Sequence, residues 1–197
     1  HLPIPKAITT NELMSAGINE ADLRPISSIL AAYNRSNRLN LIALTALVRK
    51  GSYRQGDPVK LPTVQWPELP PLLSKAEIDL ENWSLLERTI ALGVNLPTTA
   101  LPTLWRHLIH WPGFIELMLK HYQPLHDSGE LFNMVGKITK YVETHAPEMS
   151  NFRDTSVDVP EAAVQMIEDY IGAPPSVSRM TSLGSSVEKW FRANMGL

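Results

Sequence analysis

Three asparagines spaced three residues apart, Asn34, Asn37 and Asn40, stand in an otherwise apolar stretch, Tyr33–Val48 (YNRSNRLNLIALTALV). Side-chain amides both donate and accept. With the free amides of a helix N-terminus they can bind a carboxylate or position a water. The polar run reads as a turn joining two helices. Asn37 then opens the second helix as its N-cap, its side-chain oxygen taking an orphan amide proton. The alternative is that all three asparagines only cap the turn and satisfy buried backbone. His107 and His110, in WRHLIH, stand at i, i+3 on one side of a helix, where two imidazoles can share a metal. A zinc site needs a third ligand, and Glu116, His121 and His126 stand at no recognisable spacing, so no metal is expected. The carboxylate pairs Asp79/Glu81, Glu168/Asp169 and Asp154/Asp158 fall at helix starts or in polar loops. That is the place of solvated surface, not of an apolar pocket that raises a pKa. No GxSxG, phosphate loop, GxGxxG or HExxH occurs, and Ser, His and Asp are present without a motif that supports a triad.

Composition narrows the chemistry further. No cysteine occurs in the 197 residues, which excludes disulfides, thiolate metal sites and thiol peroxidase reactions. A net charge of −2 gives no electrostatic footprint for nucleic acid or an anionic membrane. No apolar run approaches the ~20 residues of a membrane-spanning helix, and no signal-peptide pattern opens the chain. A cytoplasmic protein of bacterial type is expected, with no cofactor. His1 is not an initiator.

The elements that must position these groups are all helical. Residues 1–8 hold two prolines and no periodicity, and read as a poorly ordered arm. Thr9 with Glu12 matches a capping box for a short helix ending at Gly17. Asn19 with Asp22 restarts a helix, and because Pro25 is tolerable only near a first turn its main part is placed at about Leu23–Tyr33. The helix after the asparagine turn is apolar nearly all round, with Leu39, Ile42, Ala43, Ala46 and Leu47 on one face and Leu41, Leu44 and Val48 on the other. Such a helix belongs inside a protein. The first unit spans 9–51. A stiff proline-rich connector follows over 52–74, and 75–197 form the remainder of one compact domain. In that remainder Ser74 with Glu77 opens a helix to Gly93, and Thr98 or Thr99 caps the next. Pro112 starts Phe114–Tyr122, which Pro124 closes. Further helices are expected from Ser128–Glu130 to His145, over Glu161–Ile171 after the polar loop Ala146–Asp158, and up to about Asn194. Ile29–Leu47 aligns without a gap on Met166–Gly184, Tyr33 falling on Tyr170, as a repeated helix–turn–helix unit. Nothing reads as a strand. The class is all-α.

Two segments, Thr9–Val48 (TNELMSAGINEADLRPISSILAAYNRSNRLNLIALTALV) and Leu96–Leu125 (LPTTALPTLWRHLIHWPGFIELMLKHYQPL), resemble the group I, non-stereospecific 2-haloacid dehalogenases. That family is similar in fold to the alkyl hydroperoxide reductase D-like superfamily. The specific pieces are the aromatic-Asn-x-x-Asn turn before an apolar helix and the Trp-Pro helix start. The resemblance implies an all-helical protein with two pseudo-repeats around a central site, usually a homodimer. It implies a reaction in which an aspartate activates water for direct attack on the substrate's α-carbon. Asn37 matches the assisting asparagine and is the candidate catalytic residue, with Asn34 as its companion. The aspartate lies seven residues before the tryptophan of the Trp-Pro pair, and counting back from Trp111 gives Leu104. Leucine accepts no proton, and loss of a general base typically removes ~10²–10⁴-fold of rate.

The expectation that follows is a protein binding a small carboxylate-type ligand at Asn34, Asn37, Asn40, Thr103 and Leu104. The alternatives are a hydrolase of 2-halo acids using a displaced acid, and a non-catalytic dimeric scaffold. The order helix pair, Trp-Pro helices, helix pair also implies a Trp-Pro unit upstream of Thr9, or a second copy covering the exposed apolar surface.

Overall fold

The computed structural model describes residues 2–49, 68–94, 102–148, 159–172 and 177–193. Within them the chain runs α1 (Thr10–Ser15), α2 (Glu20–Val48), a 3-10 turn (Lys75–Glu77), α3 (Leu80–Ala91), α4 (Thr103–Leu108), α5 (Pro112–Asp127), α6 (Glu130–His145), α7 (Glu161–Gly172) and α8 (Val177–Ala193). No strand occurs among the described residues, and the fold is all-α.

Helix α8 is the axis of the fold. Its residues are buried continuously from Val177 to Val187, although seven of these eleven are polar or small. Small side chains let a neighbouring backbone come close, and α2 makes the most extensive helix–helix contact of the molecule here. The buried hydroxyls are satisfied locally. Ser182 donates to the Ser178 carbonyl at 2.7 Å, Ser185 to the Thr181 carbonyl, and Ser178 to the last turn of α7 at the Ile171 carbonyl, 2.9 Å. Ser186 donates to the Pro3 carbonyl at 2.5 Å, so the Tyr122 hydroxyl, 3.0 Å from Ser186 Oγ, is the donor in that pair. Arg179 lies buried with no carboxylate against it among the described residues. Its Nη1 donates to the carbonyls of Ile90 and of Leu92 (3.2 Å), at the negative end of α3. Burial lowers its pKa to about 10, so it stays charged at neutral pH.

Around α8 the apolar residues of four helices close the main core. They include Ile26, Ile29 and Leu30 of α2, Leu86 of α3, Trp105 of α4 and Phe114, Met118 and Tyr122 of α5, set against Trp190 and Phe191. A smaller cluster joins Leu41, Ile171 and Val177 at the far end of α2.

Several local expectations are met. Thr9 and Glu12 form the α1 capping box, and Gly17 leaves that helix at φ +73°. Pro112 is a first-turn residue of α5, and α6 opens at Glu130. Others are corrected. No turn interrupts Tyr33–Asn40, because Glu20–Val48 is one helix of 29 residues. Asn and Ser cost a helix only a few tenths of a kcal/mol each, and Arg35, Arg38 and Leu39 favour it. With no Gly or Pro in the run, burial of one face decides. The restart expected at Asn19 and Asp22 is the start of this same helix, ahead of the Leu23 expected for its main part. Asn19 and Asp22 form a capping box, and Trp111 Nε1 donates to Asp22 Oδ1 at 2.8 Å, so the first turn is held although Pro25 lies inside the helix. Pro124 does not close α5, which continues to Asp127 because Tyr122 and Leu125 on either side pack inward. Ser74 and Glu77 cap only a 3-10 turn, and Asp79 caps α3. The all-round apolar part of α2 is buried on one side only: Leu41 and Ala46 are inside, while Leu39 is half exposed and Ala43 exposed.

The residues expected as a loose arm lie against α8 instead. Ile8 is buried, and Trp190 Nε1 donates to the Lys6 carbonyl at 3.0 Å. Of the two aligned repeat segments, Ile29–Leu47 lies inside continuous α2, whereas Met166–Gly184 spans α7 and α8, so the units differ in form. Thr98, Thr99, most of the connector and 149–158 of the polar loop lie outside the described residues.

Candidate functional site

In a continuous helix, stepping three residues turns the side chain back by about 60°. The asparagines therefore fan outward from the core: Asn34 is fully buried, Asn37 half-buried and Asn40 exposed. Asn34 faces α8. Its Nδ2 donates to the Gly184 carbonyl at 2.8 Å and to Glu188 Oε2 at 2.9 Å. The approach depends on Gly184, since a Cβ there would lie 2.3 Å from Asn34 Oδ1 and 3.4 Å from Leu104 Cδ2. Asn34 and Leu104 thus both lie against Gly184, Leu104 as an apolar contact buried in the core, whereas Asn37, the residue the resemblance matches to the assisting asparagine, does not join them. Asn37 and Asn40 turn away along α2, and Thr103 is exposed at the start of α4.

Asn37 is then no N-cap, and its replacement has a different expected result. Alanine is the better helix former by several tenths of a kcal/mol, so Asn37→Ala should leave the melting temperature unchanged or slightly raised. A loss in the ~0.5–2 kcal/mol range of a removed cap, read by thermal unfolding, would show that the helix breaks there after all.

The residues that sequence reasoning missed come from α8. Glu188 Oε2 also takes Arg38 Nη2 at 3.3 Å, and Oε1 pairs with Arg192 at 3.3 Å. Arg38 reaches on to Ser185 Oγ, from Nε at 3.1 Å and from Nη2 at 3.0 Å, while Arg192 Nε donates to Ser27 Oγ at 3.2 Å. The result is a polar ladder between two helices, Ser27–Arg192–Glu188–Arg38–Ser185, with the Asn34 amide on the same carboxylate. Asn34 and Glu188 are 154 positions apart in the chain. Only the G-S-S-x-E run of α8 (Gly184–Glu188), small residues one turn before an acid, hints at it in the sequence.

The histidines do not gather. His107 Nδ1 lies 2.7 Å from the Tyr33 hydroxyl, and burial holds its pKa below the ordinary value, partly offset by the Pro70 carbonyl. His110 Nε2 meets the Pro71 carbonyl at 2.8 Å, and Arg106 Nε donates to the Leu73 carbonyl at 2.9 Å. The polar side of α4 therefore pins the extended segment 70–73. His126 accepts from the Gly93 amide at 3.1 Å, and His121 lies 3.3 Å from Glu12. No group of three or more His, Asp or Glu among the described residues is arranged to hold a metal. Of the carboxylate pairs, Asp79 caps α3 and Glu168 pairs with Arg49 at 2.5 Å. Asp154 and Asp158 lie outside the described residues.

Beside the ladder opens a groove of about 460 Å³. Arg38 of α2 and Thr181 and Ser185 of α8 form its polar side. Met134, Lys137, Ile138 and Tyr141, along one face of α6, and Leu2 complete it. The Thr181 hydroxyl is buried and, among the described residues, has no hydrogen-bond partner. A buried polar group without a partner costs about 1–3 kcal/mol, so this wall has hydrogen-bonding capacity unused. A second cavity of about 670 Å³, between α1 and the start of α2, is lined by Leu13, Met14, Ile18 and Leu23 and carries no cation. Comparison with protein-family models, curated proteins and solved structures yields no match.

Proposed function

We propose that this protein binds a small carboxylate-bearing molecule, without transforming it, in the groove between α2, α6 and α8. The observation that carries this is the pairing of Arg38 and Lys137 with an apolar wall and the unpartnered Thr181 hydroxyl. Pockets of this size with a few convergent polar groups are the usual form of small-molecule sites. The ligand sits beside Asn34 rather than on it, because the Asn34 amide is already engaged by Gly184 and Glu188. Arg38 shares its charge with Glu188, whereas Lys137 makes no ion pair among the described residues. An incoming carboxylate gains charge-assisted hydrogen bonds from both cations.

Isothermal titration with butyrate and with butyramide tests this. Saturable binding of the acid, at least tenfold weaker for the amide and for the Arg38→Ala/Lys137→Ala variant, is expected. Equal affinity for acid and amide, or no binding of any carboxylate at millimolar concentration, would overturn it. A hydrolase of the dehalogenase type is a second reading, favoured by the direct contact of Asn34 with a carboxylate, Glu188. Against it, both Glu188 oxygens are already engaged, Oε1 by Arg192 and Oε2 by Arg38 and the Asn34 amide. Halide release from 2-chloropropionate that Glu188→Gln abolishes would establish this second reading.

A further inference from the structure

The groove is larger and more apolar than a short acid needs. At roughly 30 Å³ for each water-sized group, a three-carbon acid fills a minor part of about 460 Å³. Resting on the reading of the groove as a carboxylate site, we infer that its ligand is an unbranched monocarboxylic acid of about six to ten carbons. Three features point there.

The groove carries cations for a carboxylate. Arg38 and Lys137 are the charged side chains among the described lining residues, and both are cationic. One carboxylate meets these cations, while a second, at the far end of a chain, would be desolvated against the apolar stripe of α6. The wall is a helical stripe as well: Met134, Ile138 and Tyr141 recur at i, i+4, i+7 on α6, the spacing that lines up one apolar face. Met134 is buried and adaptable in shape. Third, this stripe is uncovered at its outer end. Tyr141 is 65% exposed, its ring stacked on His145 at 4.1 Å, and Leu2 is only half-buried. An alkyl tail running from the cations along α6 covers what the protein leaves open.

Titration of the full chain with propionate, butyrate, hexanoate, octanoate, decanoate and hexadecanoate, with octanedioate as a control, tests the inference. Each methylene buried is worth up to about fourfold in Kd. We expect octanoate to bind at least tenfold tighter than propionate, no further gain from decanoate to hexadecanoate, and octanedioate at least tenfold weaker than octanoate. Leu2→Ser and Tyr141→Ala, both outside the buried core, should flatten the chain-length dependence, weakening octanoate more than propionate. Lys137→Ala should weaken every acid alike. Binding without dependence on chain length overturns the inference and leaves the carboxylate site standing. No binding of any acid overturns both. Tight octanoate binding indifferent to Leu2→Ser, Tyr141→Ala and Lys137→Ala places the acid elsewhere on the protein and overturns both as well.

Discussion

Gly184→Ala should destabilise the protein by about 2 kcal/mol, against the direction that helix propensity dictates. Alanine in place of a mid-helix glycine is worth about 1 kcal/mol in favour of the variant. Here the new methyl would lie 2.3 Å from Asn34 Oδ1 and 3.4 Å from Leu104 Cδ2, in the most extensive helix contact of the fold. Asn34 is fully buried and tied through Nδ2 to the Gly184 carbonyl and to Glu188, so it cannot swing aside without leaving donors unmet. Overpacking of this kind costs about 1–3 kcal/mol, and the strained hydrogen bonds add about 1 kcal/mol more. For a chain of this length the melting temperature should fall by roughly 4–8 °C. The cause is tested by a double-mutant cycle. Asn34→Ala alone costs about 1–2 kcal/mol through its lost hydrogen bonds, but it also removes the obstacle. The double variant should then be more stable than the sum of the single changes by at least 1 kcal/mol. Strict additivity in thermal or urea unfolding would sink the account of the crossing.

That crossing marks the limit of what the chain disclosed by itself. Helix ends signalled by local chemistry were legible: the Thr9–Glu12 capping box, Gly17, Pro112 as a first-turn residue and the start of α6 at Glu130 all depend on residues within one turn of each other. The asparagine stretch was misread for the same reason. Asn and Ser are turn and cap formers when nothing else acts on them, and here burial of one face of α2, with Asn34 held on Gly184 150 positions away, favours a continuous helix. Asn34 and Leu104 both lie against Gly184, whereas Asn37 and Asn40 turn outward on a continuous α2 and Thr103 is exposed at the start of α4. Arg38, Glu188 and Lys137 carried no motif. On a single helix each reads as a solvated charge, and only the packing of α2, α6 and α8 gathers them at one groove.

Gly113→Ala is expected to be the more damaging of the two glycine substitutions, and its damage should be confined to one end of the molecule. A Cβ at Gly113 would lie 1.9 Å from the carbonyl oxygen of Ala16 and 2.9 Å from its carbonyl carbon. Both partners are backbone: Gly113 is in the first turn of α5, and Ala16 is the C-cap of α1. No rotamer change relieves the contact, so no truncation of a neighbouring side chain should rescue the variant, unlike Gly184→Ala. The first turn of α5 is anchored through Trp111 to Asp22 of α2, and α1, six residues long, is the part that yields. About 3 kcal/mol of destabilisation is expected from a clash of this depth, with amide protons of α1 losing protection from exchange while those of α8 keep it. Glu12 gives a second readout. Its pKa is lowered to about 2, first by the backbone and side-chain hydrogen bonds of Thr9 and then by Lys120 on α5 and the charge of His121. A carboxylate whose folded pKa is depressed contributes stability that is present above its unfolded pKa of 4.5 and is lost as the pH falls toward 2. Displacing α1 removes the Lys120 and His121 contributions and leaves the Thr9 capping box intact, so the Glu12 pKa should rise only part of the way back. An NMR titration in which Glu12 is unmoved, with α1 still protected, would show that α5 shifts instead and that α1 is the fixed element.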